Sequence, residues 1–174
     1  MISKRAGEIM IPLENYPHIP YWFTLRQAVA ELEKSELTHK DRTSLPRALL
    51  VFDEKYQLLG IVRRRDIFRG LEPKFLRTMA APKRGQLFDV AIDPDLVDLS
   101  TGKVAKAMQE QAEQQVSEVM QPIVATVHFE DHLAKVIYKM VSHEMTMLPV
   151  LKDSNVVGVV RSVDVFHEIA NILL

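Results

Sequence analysis

The sequence predicts an α+β (mixed α/β) protein made of two β-α-β-β-α units packed sheet to sheet about a pseudo-twofold axis. Three observations predict it. Blocks of sequence recur in the same order: Gly7-Glu8-Ile9-Met10-Ile11-Pro12 returns as Ser117-Glu118-Val119-Met120-Gln121-Pro122, Leu49-Leu50-Val51-Phe52-Asp53 as Leu148-Pro149-Val150-Leu151-Lys152-Asp153, and Gly60-Ile61-Val62-Arg63-Arg64-Arg65-Asp66-Ile67-Phe68 as Gly158-Val159-Val160-Arg161-Ser162-Val163-Asp164-Val165-Phe166. Each copy carries apolar residues at helical spacing followed by a short apolar run. That run is joined by a polar turn to a second apolar run, the pattern of a β-hairpin.

Each element has its own signal. Leu25, Ala28, Val29 and Leu32 define the helix of the first copy, and Leu133, Val136, Ile137, Met140 and Val141 that of the second. The strands fall at 48–52 and 58–62, and at 147–151 and 156–160. The intervening turns are Asp53-Glu54-Lys55-Tyr56-Gln57 and the tighter Lys152-Asp153-Ser154-Asn155. A closing helix begins at Asp66 in one copy and Asp164 in the other, which gives each aspartate the position of a helix N-cap. The offset between copies falls along the repeat, so the first holds about 12 extra residues. Most lie in the polar stretch 36–45, which reads as an exposed loop.

The organisation is thus repeat 1 in residues 1–71, a connector in 72–115 and repeat 2 in 116–174. The connector is punctuated by Pro73, Pro82 and Pro94, then predicts a helix over 103–115 capped by Ser100 or Thr101. Neither unit of about 60 residues buries much core alone. Two packed together would leave clefts at their seam, where small ligands bind.

Composition narrows the function. Of 174 residues, 47% are hydrophobic and 26% charged, as in soluble globular chains. With no cysteine, a disulfide scaffold, a Cys-ligated zinc, an iron–sulfur cluster and a thiol nucleophile are excluded. A net charge of −1 argues against general nucleic-acid binding. Charge is nonetheless divided: residues 1–85 hold 16 Lys/Arg against 10 Asp/Glu, and residues 86–174 hold 6 against 13. The apolar stretch after Lys4 and Arg5 is broken by Glu8 and Pro12, so no signal peptide is read, and no run approaches the roughly 18 apolar residues of a membrane span. The expectation is a cytoplasmic protein without a membrane segment.

A Val/Ile-Met-x-Pro opening, a Leu-Pro-Val strand and a Gly-h-h-x-x-x-Asp-h hairpin exit (h apolar), all present twice in order, resemble the cystathionine-β-synthase (CBS) domain family. A tandem pair is a Bateman module, here of the stand-alone type, and the resemblance covers residues 7–71 and 116–172. It implies a regulatory, non-catalytic protein that needs no cofactor and binds AMP, ADP, ATP or S-adenosylmethionine between its repeats. Asp66 and Asp164 match the family position that holds the ribose hydroxyls, and an ionised carboxylate can accept from both hydroxyls of a cis-diol. Where the family often has Ser or Thr against phosphate, this chain has Arg63 and Arg161. A guanidinium is a good phosphate partner, and is also large enough to fill the pocket itself. By alignment His18 and Thr126 fall where the first strand offers its backbone to the ligand, and Ala48 and Met147 near the adenine.

The expected partners are a second copy of the chain, with basic lobe against acidic lobe, and an unidentified effector protein. The alternative is a dimerisation or docking module whose clefts are filled by Arg63 and Arg161. Other patterns are weaker. His128 and His132, with Glu130 and Asp131 between, read as a polar strand-to-helix turn rather than a metal site. Asp93, Asp95 and Asp98 lack the glycine and closing Glu of a calcium loop. Arg63-Arg64-Arg65 lacks the aromatic interleaving of a nucleic-acid surface.

Overall fold

The computed structural model describes residues 3–74 and 101–174. Asp93, Asp95, Asp98 and Ser100 lie outside the described residues. In chain order the elements are α1 (Ala6–Ile9), β1 (Ile11–Pro12), a 3-10 turn, β2 (His18–Pro20), α2 (Leu25–Lys34), β3 (Leu37–His39), β4 (Arg42–Ser44), β5 (Ala48–Phe52), β6 (Leu58–Arg63), α3 (Arg64–Leu71), α4 (Thr101–Gln111), a second 3-10 turn (Val116–Glu118), β7 (Gln121–Pro122), β8 (Val127–His128), α5 (Leu133–Ser142), β9 (Met147–Lys152), β10 (Asn155–Arg161) and α6 (Ser162–Leu173). The β-α-β-β-α unit is therefore present twice, as β2-α2-β5-β6-α3 and β8-α5-β9-β10-α6.

Local chemistry sets these boundaries. Thr24 opens α2 with a capping box: its hydroxyl accepts from the Gln27 N–H, and Gln27 Oε1 accepts from the Thr24 N–H at 2.9 Å. One stripe of α2, Leu25, Ala28 and Leu32, is buried, as is Leu133, Val136 and Met140 of α5. The β9–β10 turn places Asp153 and Ser154 at positive φ, the twist that two-residue hairpins require. Asp53 instead closes the wider β5–β6 turn, its carboxylate accepting from the N–H groups of Lys55 and Gln57, each at 2.8 Å.

Two four-stranded sheets result, ordered β2-β5-β6-β7 and β1-β10-β9-β8. Each has a parallel pair joined through its crossover helix, β2 with β5 and β8 with β9. Strand alternation sorts side chains between two cores. Leu49 and Val51 of β5 face the helices of the first sheet, while Ala48, Leu50 and Phe52 face the seam. There they join Ile61, Met147 and Val159 in a core shared by both sheets.

The opening motifs change places. β1, from the first copy, pairs antiparallel with β10, and β7, from the second, pairs with β6. The registers match: Pro12 lies opposite Gly158, and Pro122 opposite Gly60. So do the bonds that lead in. The Leu133 N–H donates to the Lys4 carbonyl at 3.0 Å, and the equivalent Leu25 N–H to the Gln114 carbonyl at 2.9 Å. These paired equivalences are the pseudo-twofold relation, and each sheet is built from both copies.

Three local expectations are corrected. The stretch 36–45 is not an exposed loop but the β3–β4 hairpin, with Leu37 buried; Lys40 and Asp41 at positive φ form its tight turn. The connector helix ends at Gln111 rather than 115, because the carbonyls of Ala112 and Gln114 turn aside to accept from the first N–H groups of α2. Asp66 and Asp164 are not N-caps. Their helices start at Arg64 and Ser162, so Arg63 and Arg161 hold the cap position and the aspartates sit on the first turn.

Candidate functional site

A cleft of about 330 Å³ opens at the seam, beside the end of β6. One wall is apolar: Ala48 and Ile61 from the first sheet, Pro122 and Val124 after the exchanged strand, and Met147 opening β9. Its rim is the segment joining α5 to β9, His143, Glu144, Met145 and Thr146. Arg63 and Gln121 supply its polar end.

Behind them lies Asp66, wholly buried on the first turn of α3. Its two oxygens receive five donors. Oδ2 accepts from the Arg63 N–H and Arg63 Nε, both at 2.9 Å. Oδ1 accepts from Arg63 Nη2 at 3.1 Å, Arg69 Nη2 at 3.2 Å and Gln121 Nε2 at 3.1 Å. Burial pushes the carboxyl up, but the Arg63 guanidinium, the Arg63 N–H and Gln121 together hold it below its ordinary value. The carboxylate is saturated, so a ribose diol could reach it only if Arg63 moved away.

The equivalent position in the second copy repeats the ion pair: Arg161 Nε and Nη2 donate to Asp164 at 2.7 and 2.8 Å. The surroundings differ. The Arg63 side chain is 47% exposed and that of Arg161 only 15%. Arg161 also donates to Ser44 Oγ at 2.9 Å.

The fold is shared with known proteins. The CBS domain family matches residues 116–171. Among solved structures, a CBS domain-containing protein of unknown function from Kribbella flavida superposes with a TM-score of 0.67 at 15% identity, covering 96% of this chain and 98% of that one. The CBS domain of a membrane protein from Sphaerobacter thermophilus gives 0.64 at 19%, covering 95% and 88%. A protein designated CBSX2, crystallised in complex with AMP, gives 0.60 at 16%, covering 97% of both chains. Residues 116–171 match the CBS domain family, and the chain as a whole has the fold of these CBS structures. No curated protein sequence matches it.

Across the two repeats, the residues singled out from sequence are dispersed. Ala48, Arg63 and Met147 meet around the cleft, with Asp66 behind Arg63. His18 does not join them; it stands in a shallow depression with Tyr16, where its ring bonds the Tyr16 carbonyl at 2.8 Å and the Tyr56 hydroxyl at 2.6 Å. Thr126 lines a different cavity, between the two hairpin turns, and its carbonyl accepts from Lys139 Nζ at 2.6 Å. Gln121 and Arg69 were not singled out. Arg69 could have been found by its i,i+3 spacing from Asp66; Gln121 could not, because it reaches Asp66 only through the exchange of strands.

Around His128, Asp131 accepts from the His128 N–H and from Lys135 Nζ, a capped turn. Burial pushes the Asp131 carboxyl up, and these two donors bring it below its ordinary value. Among the described residues no group of three His, Asp or Glu side chains is placed to hold a metal, and no helix is long and apolar enough to cross a membrane.

Proposed function

We propose that the chain is a regulatory module, with repeats in 1–71 and 116–174, that takes an adenosine nucleotide in the cleft beside Arg63. The observation that carries this reading is the cleft itself: an apolar slot at the seam, ending at a half-exposed guanidinium. The slot suits a purine, and a guanidinium favours phosphate. AMP, ADP or ATP is therefore preferred over the cationic sulfonium of S-adenosylmethionine. The binding of AMP by CBSX2, a protein of the same fold, supports the choice. Arg63 would turn from Asp66 to the phosphate and leave Asp66 free to accept from the ribose. Binding would act on an effector only so far as the ligand favours one arrangement of the repeats over another.

Titration with AMP, ATP and S-adenosylmethionine tests this. At a hundredfold excess over Kd, AMP is expected to stabilise the fold by about 2.7 kcal/mol, read as a rise in Tm that Asp66→Ala removes. A flat response to all three at millimolar concentration overturns it. That result would favour a second reading, a docking module, for which the saturated Arg63–Asp66 and Arg161–Asp164 pairs speak.

A second copy of the chain is the partner we propose. Phe68 and Phe166 occupy equivalent positions on α3 and α6 and are 69% and 70% exposed, with Val163 exposed on the same helix as Phe166. Replacing both phenylalanines by Glu is expected to convert a dimer to a monomer in sedimentation velocity; a monomeric parent chain would reject the proposal.

A further inference from the structure

We propose that the β3–β4 hairpin is an internal occupant of the second cleft of the pair, the one that ends at Arg161 and Asp164. The pseudo-twofold relation defines that cleft: Val159 stands for Ile61, Ile11 for Gln121, Pro12 for Pro122 and Arg161 for Arg63. At the open cleft, α5 reaches β9 through residues 143–146, which form only a rim. At its counterpart, α2 reaches β5 through residues 35–47, and this longer connection buries Leu37 and Pro46. Leu37 is 2% exposed and packs in the same core as Ile11 and Val159. Tyr16, 3% exposed, packs there too and donates its hydroxyl to the Ala48 carbonyl at 2.7 Å.

The chemistry of the occupant is specific. Ser44 Oγ accepts from Arg161 Nη1, so a neutral hydroxyl oxygen stands where a ligand's phosphate oxygen would stand. The outer half of the hairpin is held to α6 by polar contacts: Lys40 Nζ lies 3.2 Å from Glu168 Oε1, and Arg42 donates to the His167 ring. These contacts are separable from Leu37. Of the two clefts related by the pseudo-twofold, the hairpin thus leaves only the one beside Arg63 open, and when lifted it would expose the other as a second site for a phosphate-bearing ligand of the same class.

Two measurements test this, one of which needs no ligand. In the intact chain, phenylglyoxal should modify Arg63 several-fold faster than Arg161, read by peptide mass spectrometry. In Lys40→Glu/Arg42→Glu, and in a variant whose residues 36–45 are replaced by Gly-Ser-Gly-Ser, the Arg161 rate should rise toward that of Arg63. Equal rates in the intact chain, or unchanged protection of Arg161 in the variants, overturn the proposal, and the intact chain can do so even if a variant fails to fold. The second measurement rests on the nucleotide reading: calorimetric titration with AMP should give one site in the intact chain and two in the shortened variant. One site in both overturns the hairpin proposal. Absence of AMP binding to the intact chain is failure of the nucleotide reading instead, and Arg161 labelling then decides the hairpin's role.

Discussion

Gly158→Val is expected to destabilise the protein by about 3 kcal/mol, near the top of the usual range for overpacking, and to do so by expelling a strand from 147 residues earlier in the chain. A Cβ at Gly158 would lie 2.4 Å from the Ile11 carbonyl oxygen and 2.7 Å from Met10 Sδ. The methionine can bend aside, but the carbonyl is part of the β1–β10 ladder. Relief therefore means losing β1, and with it the burial of Ile11. Gly60→Val should behave alike, since its Cβ would meet the Gln121 carbonyl at 2.5 Å. Gly102→Ala, with no atom within 4 Å of the added carbon, is the control and should leave stability unchanged or raised by up to about 1 kcal/mol. Urea unfolding of the three variants checks the set; a Gly158→Val chain as stable as its parent would contradict the exchange of strands.

Asp66→Asn should cost about 2 to 3 kcal/mol at neutral pH. The full penalty for breaking a buried pair is about 3 to 5 kcal/mol, but Arg63 and Arg69 are each about half exposed and can be re-solvated. The effect has a pH signature. The Asp66 carboxyl sits below its ordinary 3.8 in the folded protein, so its contribution is complete above that value and lost as pH falls through the folded one. The gap between parent and Asp66→Asn should be constant from about pH 7 to 5 and narrow below about pH 4. A gap that widens on acidification would mean that Asp66 is protonated in the native state.

Much of this architecture was legible in the sequence, for identifiable reasons. Helices α2 and α5 and strands β5, β6, β9 and β10 each carry a full period of apolar residues, and duplication let one copy vouch for the other. The exchange of β1 and β7 was not legible. Strands of two residues have no period of their own, and Ile11-Pro12 says nothing about which sheet receives it. The glycines hinted at it, since Gly60 and Gly158 recur with the Met-x-Pro motifs that press on them, but recurrence does not say that the partners come from opposite copies. The β3–β4 hairpin was hidden because its apolar content is a single inward residue, Leu37, within a polar stretch. At the site, the arginines were visible as large groups in place of small hydroxyls. Their fold back onto Asp66 and Asp164 depends on side-chain rotamers, and the Gln121 contact on the exchanged strand, neither of which is written in spacing.

The exchanged strands also fix an order of events during synthesis. As the chain leaves the ribosome, β1 emerges well over a hundred residues before its partner residues Gly158 and Val159. The first sheet likewise waits for Gln121 and Pro122 before its last strand is filled. The protein therefore cannot mature repeat by repeat. Until residues 155–161 are free to fold, the nascent chain carries an unpaired β1 and a first sheet already complete, and final closure joins segments far apart in sequence, the situation in which loop closure slows folding most.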